Sequence, residues 1–159
     1  MADTIIDNVD AGYSELAAAW YANTSRPDKY GDNCRYASMS DSADAAMAQW
    51  LFSGLAAGEY KVYEWHPTNW NLDTAASLRV YGGASLLDTV TVNQTLNGGQ
   101  WNLVGTYTFS GTPKVTVGSS VKGGNEAYLF ADAIKFEPQG AAALPFRVLW
   151  PAMCGGLRE

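Results

Sequence analysis

Aromatic and planar polar side chains concentrate in one stretch of the chain, residues 63–71. Tyr63 and Trp65 close an alternating β-type run, and Trp70 and Asn71 follow in the loop PTNWNLDT. A flat aromatic ring can pack against the apolar face of a pyranose, and a planar amide can exchange hydrogen bonds with its hydroxyl groups. These residue types predict a glycan-binding platform made of Tyr63, Trp65, Trp70 and Asn71. The alternative is that Trp65 or Trp70 packs a loop against the body of the domain.

A second group of aromatic residues lies earlier in the chain. It consists of Trp20, Tyr21, Tyr30 and Tyr36. Loops that cross the end of a β-sandwich usually need aromatic side chains as plugs. A structural role therefore explains this group more simply than ligand binding does.

Asp132 is a carboxylate in unusually apolar surroundings. In YLFADAIKF it shares a predicted strand face with large apolar residues. Burying a charge costs several kcal/mol unless the charge is paired or hydrogen-bonded. One solution is a structural Ca²⁺ held with Asp7 or Asp10 and backbone carbonyl groups. The other is hydrogen bonding from backbone N–H groups, from a Trp or Tyr donor, or from Arg79.

Residues that could support catalysis are sparse. His66 is the single histidine and has no evident nucleophile partner, and the sequence contains no GxSxG, HExxH or P-loop motif. The acidic residues are scattered through predicted turns and do not form the pair that glycosidases use. We therefore expect no enzymatic activity and no cofactor apart from the calcium ion considered above.

The composition limits the classes of partner. With 47% hydrophobic and only 16% charged residues, the 159-residue chain is long enough for one domain with a hydrophobic core plus a tail. A net charge of −6 without a basic cluster argues against nucleic acid. No apolar run approaches the roughly 20 residues of a membrane span.

The N-terminus, MADTIID, has no signal-peptide pattern. Either the chain is part of a secreted protein, or it is released without a signal, as virion components are. The expected location is extracellular or on a virion surface.

The two cysteines, Cys34 and Cys154, show no zinc-ligand spacing. They are either two free thiols or a disulfide that joins the tail to the domain, which requires an oxidising compartment.

Short alternating runs separated by turn residues predict seven or eight strands, no long helix, and an antiparallel jelly-roll-like β-sandwich. Alternation along one predicted strand places Trp50 and Phe52 on its core face. Along the next strand Val62 faces the core, so Tyr63 and Trp65 point outwards. The same alternation groups Trp101 with Leu103, Tyr107 and Phe109 and predicts that Trp101 belongs to the core. Gly98 and Gly99 are explained by a tight connection between strands.

Several ordered segments resemble the golvesin C-terminal-like domain, also described as the xanthan-lyase carbohydrate-binding-like domain. The carriers of the resemblance are IIDNVDAGYS, YGDN, AGEYKVYEW, VTVNQTLNGGQWNLVGTYTF and ADAIKFEP. The resemblance implies a jelly-roll-like β-sandwich, at residues 1–138, of a kind attached to polysaccharide lyases and cell-wall hydrolases. Where it implies a polar loop with Arg and Asn, this chain has Leu72 and Ala75.

Residues 139–159 lie outside the resemblance and form a predicted C-terminal extension. Its strand-like piece PFRVLWP predicts docking on the sandwich or on a neighbouring subunit. The assembly residues predicted there are Leu144, Phe146, Val148 and Trp150. Two hypotheses follow. The first is a non-catalytic glycan-binding or adhesion module that binds a polysaccharide or cell-surface glycan. The second is a structural subunit of a virion or extracellular filament that binds copies of itself or other assembly subunits through its C-terminal arm.

Overall fold

A computed structural model describes residues 2–140. The described chain contains twelve β-strands, and neighbouring strands pair in antiparallel fashion. The strands are β1 (Thr4–Asp7), β2 (Tyr13–Ala17), β3 (Trp20–Asn23), β4 (Cys34–Ser38), β5 (Met47–Leu51), β6 (Gly58–Trp65), β7 (Ala76–Gly82), β8 (Ser85–Val92), β9 (Asn102–Phe109), β10 (Pro113–Gly118), β11 (Tyr128–Ala131) and β12 (Ala133–Pro138). The predicted all-β, jelly-roll-like sandwich is confirmed. Within residues 2–140, no helix is long and apolar enough to cross a membrane.

The strands form three sheets. Sheet A has the order β1-β12-β6-β9, and sheet B has the order β2-β5-β10-β7-β8. A smaller sheet C has the order β11-β4-β3. Sheets A and B bury their facing side chains in one hydrophobic cluster, which makes them the two layers of the sandwich.

Period-two alternation builds this core. On β6, Tyr60 and Val62 are buried, while Lys61 between them and Tyr63 after them are partly exposed. On β5, Trp50 is buried, and Phe52, which follows that strand, packs its ring 4.1 Å from that of Phe136 on β12. Burying a large apolar side chain contributes about 1.5–3 kcal/mol. The core positions predicted for Trp50, Phe52 and Val62 are therefore confirmed.

The prediction that Trp101 belongs to the core is wrong. The pairing of β6 with β9 shifts by one residue, so that Val62 lies opposite Gly105 but Tyr63 lies opposite Leu103. Such a β-bulge reverses the faces on its two sides. Leu103 is consequently 58% exposed, and Trp101 lies partly buried outside the main core.

The single strand predicted through YLFADAIKF is divided at Asp132. β11 belongs to sheet C and β12 to sheet A, and Asp132 is the residue between them. Its backbone carbonyl accepts a hydrogen bond from the Trp50 indole at 3.3 Å. The chain therefore changes sheets at this residue, and the Trp50 side chain helps to hold the crossing.

The connection between β8 and β9 needs both of its glycines. Gly99 has a φ of 71°, which favours glycine, and a Cβ on Gly98 would collide with the Thr68 side chain. The N–H of Gly99 donates to the His66 carbonyl at 2.9 Å. The β8–β9 loop is therefore held tightly against the loop that follows β6.

Candidate functional site

An aromatic row crosses sheet C. Tyr36 on the central strand lies opposite Tyr21 in one pairing and opposite Phe130 in the other. The ring centroid of Tyr36 is 5.7 Å from that of Tyr21 and 5.6 Å from that of Phe130. Tyr128 meets Tyr36 edge-on at 5.5 Å. Directly opposed residues share one face of a sheet, so the register of sheet C assembles a continuous aromatic surface.

Two loops build a cleft of about 200 Å³ on this surface. From the loop after β3, the Arg26 guanidinium lies 5.8 Å from the centroid of the Phe130 ring. It also donates to the carbonyl of Thr68 in the loop after β6. The β6–β7 loop places Asn69 and Asn71 in the lining of the cleft. Arg26 thus joins the two loops through a hydrogen bond, which gives the cleft a fixed wall.

Asn71 has an unsatisfied hydrogen-bonding atom. Its backbone carbonyl accepts a hydrogen bond from the N–H of Ala127 at 2.8 Å, which fixes the residue in place. Its side-chain Oδ1 is buried and has no donor within the described part of the chain. A buried unpaired acceptor costs about 1–3 kcal/mol. Asn71 is also one of the residues that line the cleft.

Trp70 lies between Asn69 and Asn71 in the β6–β7 loop, although its own side chain is not part of the cleft lining. Its side chain is 72% exposed, and its backbone N–H donates to Asn69 Oδ1 at 2.9 Å. An indole with this exposure leaves its ring face available for stacking. Trp70 and Asn71, both predicted for the platform, therefore lie at one place in the structure.

The other two predicted platform residues lie elsewhere, on the outer face of sheet A. The Trp65 indole donates to the Asp28 carbonyl at 2.9 Å, and its ring packs edge-on against Trp101 at 5.4 Å. The Lys135 ammonium group lies 4.3 Å from the centroid of the Tyr63 ring. Both rings already have partners within the protein, as the alternative interpretation of Trp65 anticipated.

Sequence reasoning missed several residues of the cleft. Tyr36 lies in the aromatic group to which the sequence assigns a structural role, and the sequence patterns assign no site role to Arg26, Asn69 or Tyr128. Sequence alone offered a weak signal for Asn69, which precedes the exposed Trp70. Arg26 and Tyr128 reach the cleft only through the folding of distant segments.

Leu72, which replaces the polar residue implied by the family resemblance, is buried. It packs with Cys34 and Phe130 in a second apolar cluster. A polar side chain at this position would lie in that cluster, so the polar groups of this cleft come from neighbouring positions.

Burial raises the pKa of the Cys34 thiol to about 12. Cys154 lies outside the described residues, and both alternatives for the cysteine pair remain predictions.

The predicted calcium ligands lie close to the crossing between sheets. Asp132 is 1% exposed, its Oδ2 accepts the N–H of Tyr30 at 2.9 Å, and its Oδ1 accepts the side-chain amide of Asn8 at 3.4 Å. Asp7 accepts the N–H of Asn8 at 2.6 Å, and Asp10 accepts the N–H of Asp7 at 2.8 Å. The sequence predicted two ways of stabilising the buried Asp132 carboxylate, a calcium ion or hydrogen bonds from donors in the protein. A hydrogen bond from a backbone N–H, that of Tyr30, is present.

Burial raises the pKa of Asp132 to about 8 and that of Asp7 to about 6, and the charge of Asp7 adds to the shift of Asp132. Arg79 pairs with Asp44 at 2.8 Å, so it is not the partner of Asp132. Across residues 2–140, no group of three or more His, Cys, Asp or Glu side chains is arranged to hold a metal ion. Calcium binding by Asp7, Asp10 and Asp132 stays a prediction.

A β-sandwich of this topology is a fold found among carbohydrate-binding modules. A family 35 carbohydrate-binding module from an environmental isolate superposes with a TM-score of 0.60 at 13% identity, over 86% of this chain and 94% of the module. At this identity the likeness concerns the fold.

The chain belongs to the golvesin C-terminal domain family, whose profile matches residues 4–138. The xanthan lyase of Bacillus sp. (strain GL1) is 31% identical over 140 residues, which are 86% of this chain and 15% of the lyase. The structure of a Paenibacillus xanthan lyase superposes with a TM-score of 0.75 at 26% identity, over 86% of this chain and 13% of the lyase. The predicted family is confirmed, and the chain spans only a small part of these enzymes.

Proposed function

We propose that this chain is a non-catalytic carbohydrate-binding or adhesion module that acts outside the cell and binds a polysaccharide or cell-surface glycan in the cleft on sheet C. The observation that carries the proposal is the combination of an aromatic surface with the unpaired, buried Oδ1 of Asn71. The family membership and the shared fold of carbohydrate-binding modules support it.

The cleft supplies both kinds of contact that a sugar ring needs. The Tyr36 ring in the cleft offers apolar surface for the C–H groups of a pyranose, and the exposed Trp70 ring extends this surface from the loop that carries Asn69 and Asn71. Asn71 offers an acceptor, and the amide of Asn69 offers both a donor and an acceptor for hydroxyl groups. The hydrogen bond formed by Arg26 fixes one wall before a ligand binds, which reduces the entropy cost of binding.

A binding role accords better with this cleft than catalysis does. The described side chains that line it include no carboxylate, thiol or imidazole, so the hydroxyls of Tyr36 and Tyr128 have no such partner within the lining for acid–base or nucleophilic catalysis. The lyase relatives are several times longer than this chain, which therefore matches only one segment of each. The proposed role of the chain is therefore to hold a glycan.

Replacing Trp70 with alanine is expected to weaken glycan binding by about tenfold or more, equivalent to about 1.4 kcal/mol. The indole is 72% exposed, so its removal takes away stacking surface with little effect on folding. Isothermal titration calorimetry against a panel of polysaccharides measures the change.

Leu86→Ala is the matched control for Trp70→Ala. Leu86 is an exposed apolar residue of β8, outside both the cleft lining and the β6–β7 loop that supplies Asn69 and Asn71, so the affinity should not change. Tyr36→Ala provides a second test from within the cleft. Absence of heat with every polysaccharide in the panel would contradict the proposed function, and equal affinities of Trp70→Ala and the parent protein would contradict the proposed site.

Truncation tests the alternative of a structural subunit. The predicted assembly residues Leu144, Phe146, Val148 and Trp150 lie outside the described residues. Strand β12 ends at Pro138, and the N–H of Gln139 donates to the Glu59 carbonyl at 2.9 Å. Removal of residues 140–159 should therefore leave the sandwich intact and the glycan affinity unchanged. If the full chain forms an oligomer in analytical ultracentrifugation and the truncated chain is monomeric, the alternative of a structural subunit gains support.

A further inference from the structure

A second cleft, distinct from the one on sheet C, lies between the edge strands β8 and β9. It has a volume of about 200 Å³, and its floor contains Glu64 and His66. Glu64 is only 6% exposed, and His66 is only 2% exposed. Two buried ionisable groups at the base of a cleft are one recognised mark of a binding site.

The two ionisable groups form a hydrogen-bonded pair. His66 Nδ1 lies 2.8 Å from Glu64 Oε2, and Nε2 lies 3.0 Å from the Leu96 carbonyl oxygen. Both ring nitrogens therefore face acceptors, an arrangement that only the doubly protonated imidazolium satisfies fully. Burial lowers the pKa of His66, but Glu64 and the Leu96 carbonyl outweigh burial and raise the pKa above its ordinary value.

The pair makes the floor of the cleft polar, and its two charges offset each other when His66 is protonated. Asn102 donates its side-chain amide to Glu64 Oε1 at 3.0 Å and so orients the carboxylate. A buried ion pair is often no more stabilising than apolar residues of similar volume, so fold stability alone gives little reason for one here.

The walls of the second cleft are aliphatic and fixed. Leu96 and Leu103 line it and are largely exposed at the same time, which places them at its mouth. The β8–β9 loop that carries Leu96 is held by Gln94, whose side chain donates to the Phe130 carbonyl at 2.8 Å and accepts the Phe130 N–H at 2.9 Å. The wall is therefore formed before any ligand enters.

We propose that the cleft between β8 and β9 is a second ligand site that binds one neutral, hydroxylated ring such as a single pyranose unit. The Glu64 carboxylate accepts hydroxyl hydrogens, and the leucine walls pack against C–H groups. When His66 is protonated, its charge offsets that of Glu64, so the pair offers no net charge for an ionic ligand. Its volume lies below the roughly 300–1,000 Å³ typical of clefts that take larger ligands. The choice of a sugar as the ligand rests on the proposed function. The existence of the site rests on the geometry of the cleft alone.

NMR titration with free galactose, glucose, mannose and xylose tests this second site. His66 is the only histidine, so its ring signals report the floor of the cleft without overlap. At least one sugar should shift these signals together with the backbone amides of residues 90–92. Thr91→Trp, at an exposed position that lines the cleft, should block the shifts. Thr89→Trp, two residues away at an exposed position outside the lining, is the matched control and should preserve them.

The outcomes separate the two sites. Shifts that persist in Trp70→Ala but vanish in Thr91→Trp support the second site, even if the cleft on sheet C binds no polysaccharide. Thermal unfolding of both tryptophan variants checks that each is folded. No shift of the His66 signals with any of the four sugars, or equal shifts in Thr91→Trp and Thr89→Trp, would overturn the proposal.

Discussion

Replacing Phe136 with alanine is expected to lower the free energy of unfolding by about 3–5 kcal/mol. Phe136 is fully buried on β12, and its ring lies 4.1 Å from that of Phe52 and 5.2 Å from that of Phe109. Truncation removes the contacts of a whole ring and leaves a cavity between sheets A and B. Since small domains are stabilised by only about 5–15 kcal/mol, this loss is a large share of the total. Urea denaturation followed by tryptophan fluorescence measures it.

Val121→Ala serves as the comparison for Phe136→Ala. Val121 is an exposed apolar residue, so its truncation should change the free energy of unfolding by less than about 0.5 kcal/mol. A loss below about 1 kcal/mol in Phe136→Ala would mean that the two sheets do not pack around this ring.

The stability of the protein without calcium is expected to fall as the pH rises from about 4 to about 8, because of Asp132. Its pKa is raised from 3.8 to about 8, so the folded state binds the proton more tightly than the unfolded chain does. Folding is then favoured below the unfolded pKa, and this contribution is lost as the pH rises towards the folded pKa. The expected loss is on the order of a few kcal/mol. Asp7, with its pKa raised to about 6, adds to the slope in the lower part of this range.

Asp132→Asn should remove most of that slope and stabilise the protein at pH 8 in the presence of EDTA. The amide has nearly the same shape and can still accept the Tyr30 N–H, but it carries no charge. Thermal unfolding at pH 5 and pH 8 measures the effect. The exposed Asp41→Asn is the control and should behave like the parent protein. An unchanged slope in Asp132→Asn would show that Asp132 is not the group responsible.

The same pair of proteins tests the predicted calcium ion. Binding to the native state alone raises the unfolding temperature with ligand concentration. If Asp7, Asp10 and Asp132 hold Ca²⁺, millimolar calcium at pH 8 should raise the unfolding temperature of the parent protein and not that of Asp132→Asn. Equal responses of the two proteins would count against these residues as ligands.

Local patterns predicted the fold because they depend on short-range geometry. Alternation along a strand assigned Trp50, Phe52 and Val62 to the core, and all three are buried. Alternation failed at Trp101, because the one-residue shift between β6 and β9 reverses the faces and depends on pairing with another strand. It also missed the break at Asp132, where one apparent strand supplies two sheets.

The sequence by itself determined the fold class, the family and the loop that carries Trp70, since each can be recognised from the residue pattern of short continuous segments. Only the tertiary structure brought Tyr36, Arg26 and Tyr128 to Asn71 and placed Tyr63 and Trp65 on a different face. The same holds for the second cleft, whose floor pairs His66 with a carbonyl 30 residues away. Such sites arise from strand order and register between distant segments, and periodicity along one strand carries no information about either.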